Sequence, residues 1–299
     1  RERLFAERQK RRRPHRDEKI LTDWNGLMIA ALAKASWVLA KPDYADAAAV
    51  AARQLLATCQ TDDGGLWHRT ADGDTGIRAH LDDYAFVIWG LLELYEACFD
   101  VFWIQKARQL TDYVITHFLD RDHGGFYFTS DLAEPLLVRS KEIYDGATPS
   151  GNSVMAANLL RLGRLTGDPS LEAVTEQLFK TFSQKVSSVP MVHAFLLTAL
   201  DFAIGQSCEV VIVGNPSEPT TRSLLDVARR EYHPNRVLVL KNPDDSTPLE
   251  NVAPYTRPLS MLDNRPTAYV CHQYQCSTPT TDPTLLAEQL RRHHSSSVT

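Results

Sequence analysis

The chain has 299 residues, a net charge of −5, 43% hydrophobic and 23% charged residues. These proportions lie close to the globular average and exclude a disordered or collagen-like chain. No uncharged apolar run approaches the roughly 18–20 residues that cross a bilayer, and the negative charge gives a nucleic acid no general attraction, so neither is an expected partner.

Five cysteines spread along the chain, with no signal-like start, point to a reduced, cytoplasmic setting rather than a disulfide framework. Residues 1–19 carry nine Lys or Arg against four Asp or Glu. They lack interleaved aromatics, so residues 1–20 read as a basic helix or linker. The absence of an initial Met makes a piece of something longer the expectation. Thirteen of fourteen glycines precede residue 206 and ten of sixteen prolines follow residue 208, which sets a boundary between residues 21–206 and 207–299.

Within the first part, Trp24 to Leu39 is apolar almost all round and reads as a buried helix that Asp23 or Asn25 can cap. Tyr44 to Cys59 keeps one polar face and reads as an outer helix. Asp62 to Trp67 then forms a turn whose paired glycines accept positive φ. About 60 residues later the same parts return as Asp83 to Cys98, Trp103 to Leu119 and the turn Asp122 to Tyr127. A third round runs from Ser150-Gly151-Asn152 through Val154 to Leu165 and Leu171 to Val186, and a fourth buried helix is expected over Val192 to Ile204. Alternating buried and half-wet helices predict a mainly α fold, an α/α toroid built as a partial six-hairpin barrel. An incomplete ring exposes apolar edges, so missing hairpins or an oligomeric partner are expected to cover them. Beyond residue 207, Glu209 to Val213 and Arg236 to Leu240 flank a helix over Thr221 to Tyr232, a βαβ unit. With a third strand at Ala268 to Gln273 and a closing helix at Pro283 to Arg292, this predicts a small C-terminal α/β appendage on a parallel sheet.

The stretches Pro14 to Ile29, Asp82-Asp83-Tyr84-Ala85-Phe86, Asp145 to Ser153 and Pro266 to Cys271 resemble the C-terminal part of the thioredoxin-domain proteins related to the bacterial YyaL protein and the spermatogenesis-associated thioredoxin-like proteins. The resemblance spans nearly the whole chain. It implies an N-terminal thioredoxin-like domain followed by an α/α toroid similar in fold to N-acylglucosamine 2-epimerases and six-hairpin glycosidases. That domain and the remaining hairpins are therefore expected partners. This sequence contains no Cys-x-x-Cys, so redox chemistry is not carried over to it.

In such toroids the funnel is lined by inner-helix N-termini, whose unpaired N–H groups attract anionic or hydroxyl-rich ligands. Trp24 and Asn25 open the first inner helix, His80, Asp82, Asp83 and Tyr84 the second, Ser150 and Asn152 the third, and Met191 and His193 the fourth. A sugar is the expected substrate, with Trp24 and Tyr84 offering ring faces and Asn25, Asp82, Asp145, Ser150 and Asn152 offering polar groups. The likeness to 2-epimerases implies His80 and His193 as opposed proton-transfer bases, with Asp83 orienting His80. A glycosidase would instead pair Asp83 with Asp145, roughly 5–9.5 Å apart. A non-catalytic, partner-binding scaffold is the reading from another class. Each residue also has a structural role open to it: Asp82 or Asp83 as a helix cap, His193 as a bonded core residue, Asp145-Gly146 as a turn, Asn152 as a cap. No cofactor and no metal is expected, because His15, His80, His193 and His233 lack short ligand spacing and Cys271 and Cys276 form a single pair.

Overall fold

A computed structural model of the chain describes residues 1–71, 73–230, 233–272 and 275–295. Helix α1 (Glu2–Gln9) buries no residue, and strand β1 (Ile20–Leu21) leads into three successive helical hairpins. The first is α2 (Thr22–Val38) with α3 (Asp43–Cys59). A β-hairpin follows, β2 (Trp67–Ala71) with β3 (Asp74–Arg78), and β1 pairs with β2 to make a three-stranded antiparallel sheet. The second pair is α4 (Leu81–Cys98) with α5 (Val101–His117), and the third is α6 (Gly151–Thr166) with α7 (Pro169–Ser188). A 3₁₀ turn over Pro190–His193 replaces the expected first turn of the last inner helix, α8 (Ala194–Ile204).

Helices α2, α4, α6 and α8 pack side by side in that order, each inner helix except α8 backed by its outer partner. The result is an arc of inner and outer helices. Helix α4 stands mid-arc and buries fourteen of its eighteen residues, each fully buried Leu, Ile, Val or Phe stabilising the fold by about 1.5–3 kcal/mol. It meets α2 through two glycines. A Cβ on Gly26 would stand 2.5 Å from the Phe86 carbonyl carbon, and one on Gly90 would stand 2.8 Å from the Gly26 oxygen.

The arc leaves its ends apolar. On α2, Trp24, Met28 and Val38 are exposed, so that helix is not buried all round as its composition implies, because only one flank has an inner neighbour. Met191 and Ile204 are exposed at the α8 end.

The C-terminal part holds β4 (Cys208–Val213), α9 (Pro219–Arg230), β5 (Arg236–Lys241), α10 (Thr247–Val252), β6 (Thr267–His272), β7 (Gln275–Cys276) and α11 (Pro283–Ser295). Tyr232 and Gln273, the expected ends of a helix and a strand, lie outside the described residues. The sheet order is β5-β4-β6-β7. Strands β4 and β5 are parallel, but β6 runs antiparallel to β4, so the sheet is mixed rather than parallel. Only the β4–β5 connection has the helical crossover that parallel pairing demands.

Both faces of this sheet are covered. Val210, Ile212, Leu238 and Val270 meet α9 and α11, while Val211, Val213, Val237, Val239 and Tyr269 join the core of the helical arc. Arg164 of α6 also reaches Glu209 of β4 at 3.1 Å. Cys271 and Cys276, opposite each other in the β6–β7 register, form a disulfide where reduced thiols were expected. Among the described residues no helix is long and apolar enough to cross a membrane.

Candidate active site

The start of α4 is organised by Asp83, whose side chain is 1% exposed. Its Oδ2 accepts from the His80 backbone N–H at 2.8 Å, closing the first turn of its own helix, and its Oδ1 accepts from the Asp23 N–H at 3.0 Å at the start of α2. The cap reading of Asp83 therefore holds, and one carboxylate serves two helices. Both oxygens also lie 3.0 Å from Nδ1 of His68, which β2 carries to the site.

This fixes the imidazole. With Nδ1–H donated to a carboxylate, Nε2 is left as the basic nitrogen, and the ring keeps 24% of its surface open. The Asp83 hydrogen bond raises the pKa of His68 above its ordinary value, outweighing burial. His80 stands edge-on to His68 with ring centroids 5.2 Å apart and stacks on Phe128 at 4.7 Å. Burial lowers its pKa, against the pull of Asp83.

Asp82 does not cap its own helix. It lies half-buried against the Gly151 N–H at the start of α6, leaving no room for a Cβ on that glycine. Burial pushes its carboxyl up to about 6, with the Gly151 N–H opposing and the Asp83 charge adding to the shift. Asp23 is also raised, by burial and then by the Asp83 charge. Two imidazoles and three carboxyl groups thus meet where α2 and α4 begin, with Trp24 exposed beside them.

The other expected residues are placed elsewhere. Tyr84 is buried and its hydroxyl accepts from the Leu66 N–H at 2.8 Å, while Asn152, fully buried, accepts from the Phe126 N–H and donates to the Phe126 and Glu142 carbonyls. Leu66 and Phe126 each follow a Gly-Gly turn closed by an isolated bridge. Tyr84 and Asn152 are therefore equivalent buttresses in successive repeats, not substrate groups. Asp145 accepts from the Ser150 N–H and from the Phe195 and Leu196 N–H groups, so it caps α8 across a loop. Ser150 caps α6 through the Ser153 N–H, and Asn25 donates to the Leu21 carbonyl. His193 is 2% exposed and donates from Nδ1 to the Ile143 carbonyl at 2.7 Å, the bonded core role.

His68 was not anticipated. The signal for it was Asp72-Gly73, a dipeptide that favours tight hairpin turns, four residues downstream. His68, His80 and Asp83 also bring donor atoms within 4.8 Å of one another, cation-site dimensions that the sequence spacing did not predict. Asp83 already accepts from two backbone N–H groups and His68, and this matches an oriented His–Asp pair more closely than a ligand set.

A helical-hairpin arc with a buried carboxylate orienting a histidine at its inner-helix starts defines the class of molecule. The chain is a homologue of spermatogenesis-associated protein 20, being 36% identical to the human protein over 302 residues and 35% identical to the rat protein over 305, in both cases 97% of this chain. It spans 38% of the length of those curated relatives. No family model matches it. Among solved structures, cellobiose 2-epimerase from Spirochaeta thermophila aligns with 58% of this chain and 46% of its own, at 20% identity and a TM-score of 0.47.

Proposed function

We propose that the mouth of the arc acts on carbohydrate by acid–base proton transfer of the epimerase or isomerase kind. The observation that carries this reading is Asp83 holding His68 Nδ1 with both oxygens while the ring stays partly open. In this reading His68 Nε2 removes the proton on the carbon next to the open-chain sugar's carbonyl, leaving an enediolate. A neighbouring acid, His80 or the raised carboxyl of Asp82, returns a proton to complete the isomerisation or epimerisation. Trp24 supplies a platform for the apolar face of the sugar. The hydrolase pairing has no such support, because backbone N–H groups occupy both oxygens of Asp83 and of Asp145.

The test is solvent exchange. Aldoses and ketoses incubated with the protein in D2O gain deuterium at the carbon next to the carbonyl, and His68→Gln slows this by about 100-fold or more. Absence of exchange with every sugar tried, or an unchanged rate in His68→Gln, overturns the proposal. The exposed apolar ends of the arc favour a second reading, a partner-binding module. In that case Trp24→Ser and Ile204→Ser abolish complex formation while His68→Gln leaves it intact, as size-exclusion chromatography with light scattering would show.

A further inference from the structure

Beside His80 a cleft of about 490 Å³ opens between β3 and the loop after α5, where the apolar Ile77, Leu132 and Leu136 share the lining with the polar Arg78, Glu134 and His80. Its volume falls in the range of small-molecule sites. Three of its walls are large apolar side chains left in water: Ile77, Leu132 and Leu136, from two separate segments, are 54%, 46% and 54% exposed.

Ile77 is unusual in a second way. Its φ is +64°, in the left-handed region that β-branched residues avoid. The β2–β3 ladder pairs Trp67 with Arg78 and Arg69 with Gly76 and skips the step between, where Ile77 stands opposite His68. The chain thus breaks its ladder at the histidine held by Asp83 and turns an isoleucine toward solvent there. Strained backbone of this kind gathers where ligands bind.

We infer that this cleft receives an apolar substituent, an alkyl, acyl or aryl group, of the same ligand whose polar part reaches His80 and His68. The inference rests on the carbohydrate reading for the polar part alone. An apolar group seated there covers Ile77 from one side and Leu132 and Leu136 from the other, while the adjoining hydroxyls meet the imidazoles.

Calorimetric titration with methyl β-D-glucoside, hexyl β-D-glucoside and hexanamide separates the two ideas. The hexyl glucoside binds about tenfold or more tightly than the methyl glucoside. Leu132→Ser and Leu136→Ser, both at exposed positions that do not threaten folding, remove that gain and leave methyl glucoside binding unchanged. Equal binding of the two glucosides overturns the inference and spares the carbohydrate reading. Binding of hexanamide that Leu132→Ser abolishes, with neither glucoside bound, overturns the inference that the cleft and a sugar site serve one ligand, while the carbohydrate reading stands or falls on the exchange test with free aldoses and ketoses. No binding by either hexyl compound overturns the cleft.

Discussion

Asp82 and Asp83 are adjacent at the start of α4, yet Asp83 is ringed by donors while burial lifts the Asp82 carboxyl to about 6. A raised carboxyl means the folded chain holds its proton more tightly than the unfolded chain, whose ordinary value is 3.8. The stabilising contribution of that proton is complete below the ordinary value and is lost as pH rises through about 6. Asp82→Asn is therefore expected to gain about 2 kcal/mol over the parent at pH 8 and almost nothing at pH 3.5, measured by urea unfolding at both values. Equal gains at the two pH values would contradict a buried, titrating Asp82. Ile77 makes a separate prediction. Ile77→Asn places a residue that tolerates positive φ at that position and is expected to raise stability by about 1 kcal/mol, while a loss in thermal unfolding would show that the strain is not real.

Elements carry the constraint of close approach. Gly26→Ala drives a Cβ into the backbone of α4 at Phe86 and Val87, and the helices must separate along their whole contact. A cost of about 3 kcal/mol in urea denaturation is expected. The inner and outer helices were legible because a helix apolar on nearly every side reads as inner, although α2 is less buried than its composition implies where the arc ends. The β2–β3 hairpin was not, since Trp67-His68-Arg69-Thr70 offers no apolar alternation to mark a strand. For the same reason His68 looked like one polar residue in a polar stretch. Tyr84 and Asn152 misled in the opposite way. A polar group at a helix start reads alike whether it meets a sugar hydroxyl or the N–H after a Gly-Gly turn, and only the fold brings Leu66 and Phe126 into reach.

At the scale of the molecule, one sheet face is shared with the helical core, so helices and sheet are expected to unfold together. All five tryptophans lie between residues 24 and 103 and report on the helices, whereas amides of β4 and β5 report on the sheet. Tryptophan fluorescence and hydrogen exchange should give coincident urea midpoints; earlier exchange in β4 and β5 would mean that the sheet melts as a separate unit. Asp83 ties the beginnings of α2 and α4 to β2. That gives it a double life in inheritance. A lineage that abandoned the proposed reaction would still be obliged to keep Asp83 in order to fold, but would be free to let His68 drift. Retention of the aspartate in a descendant is thus a record of architecture, and retention of the histidine would be the record of the proposed use.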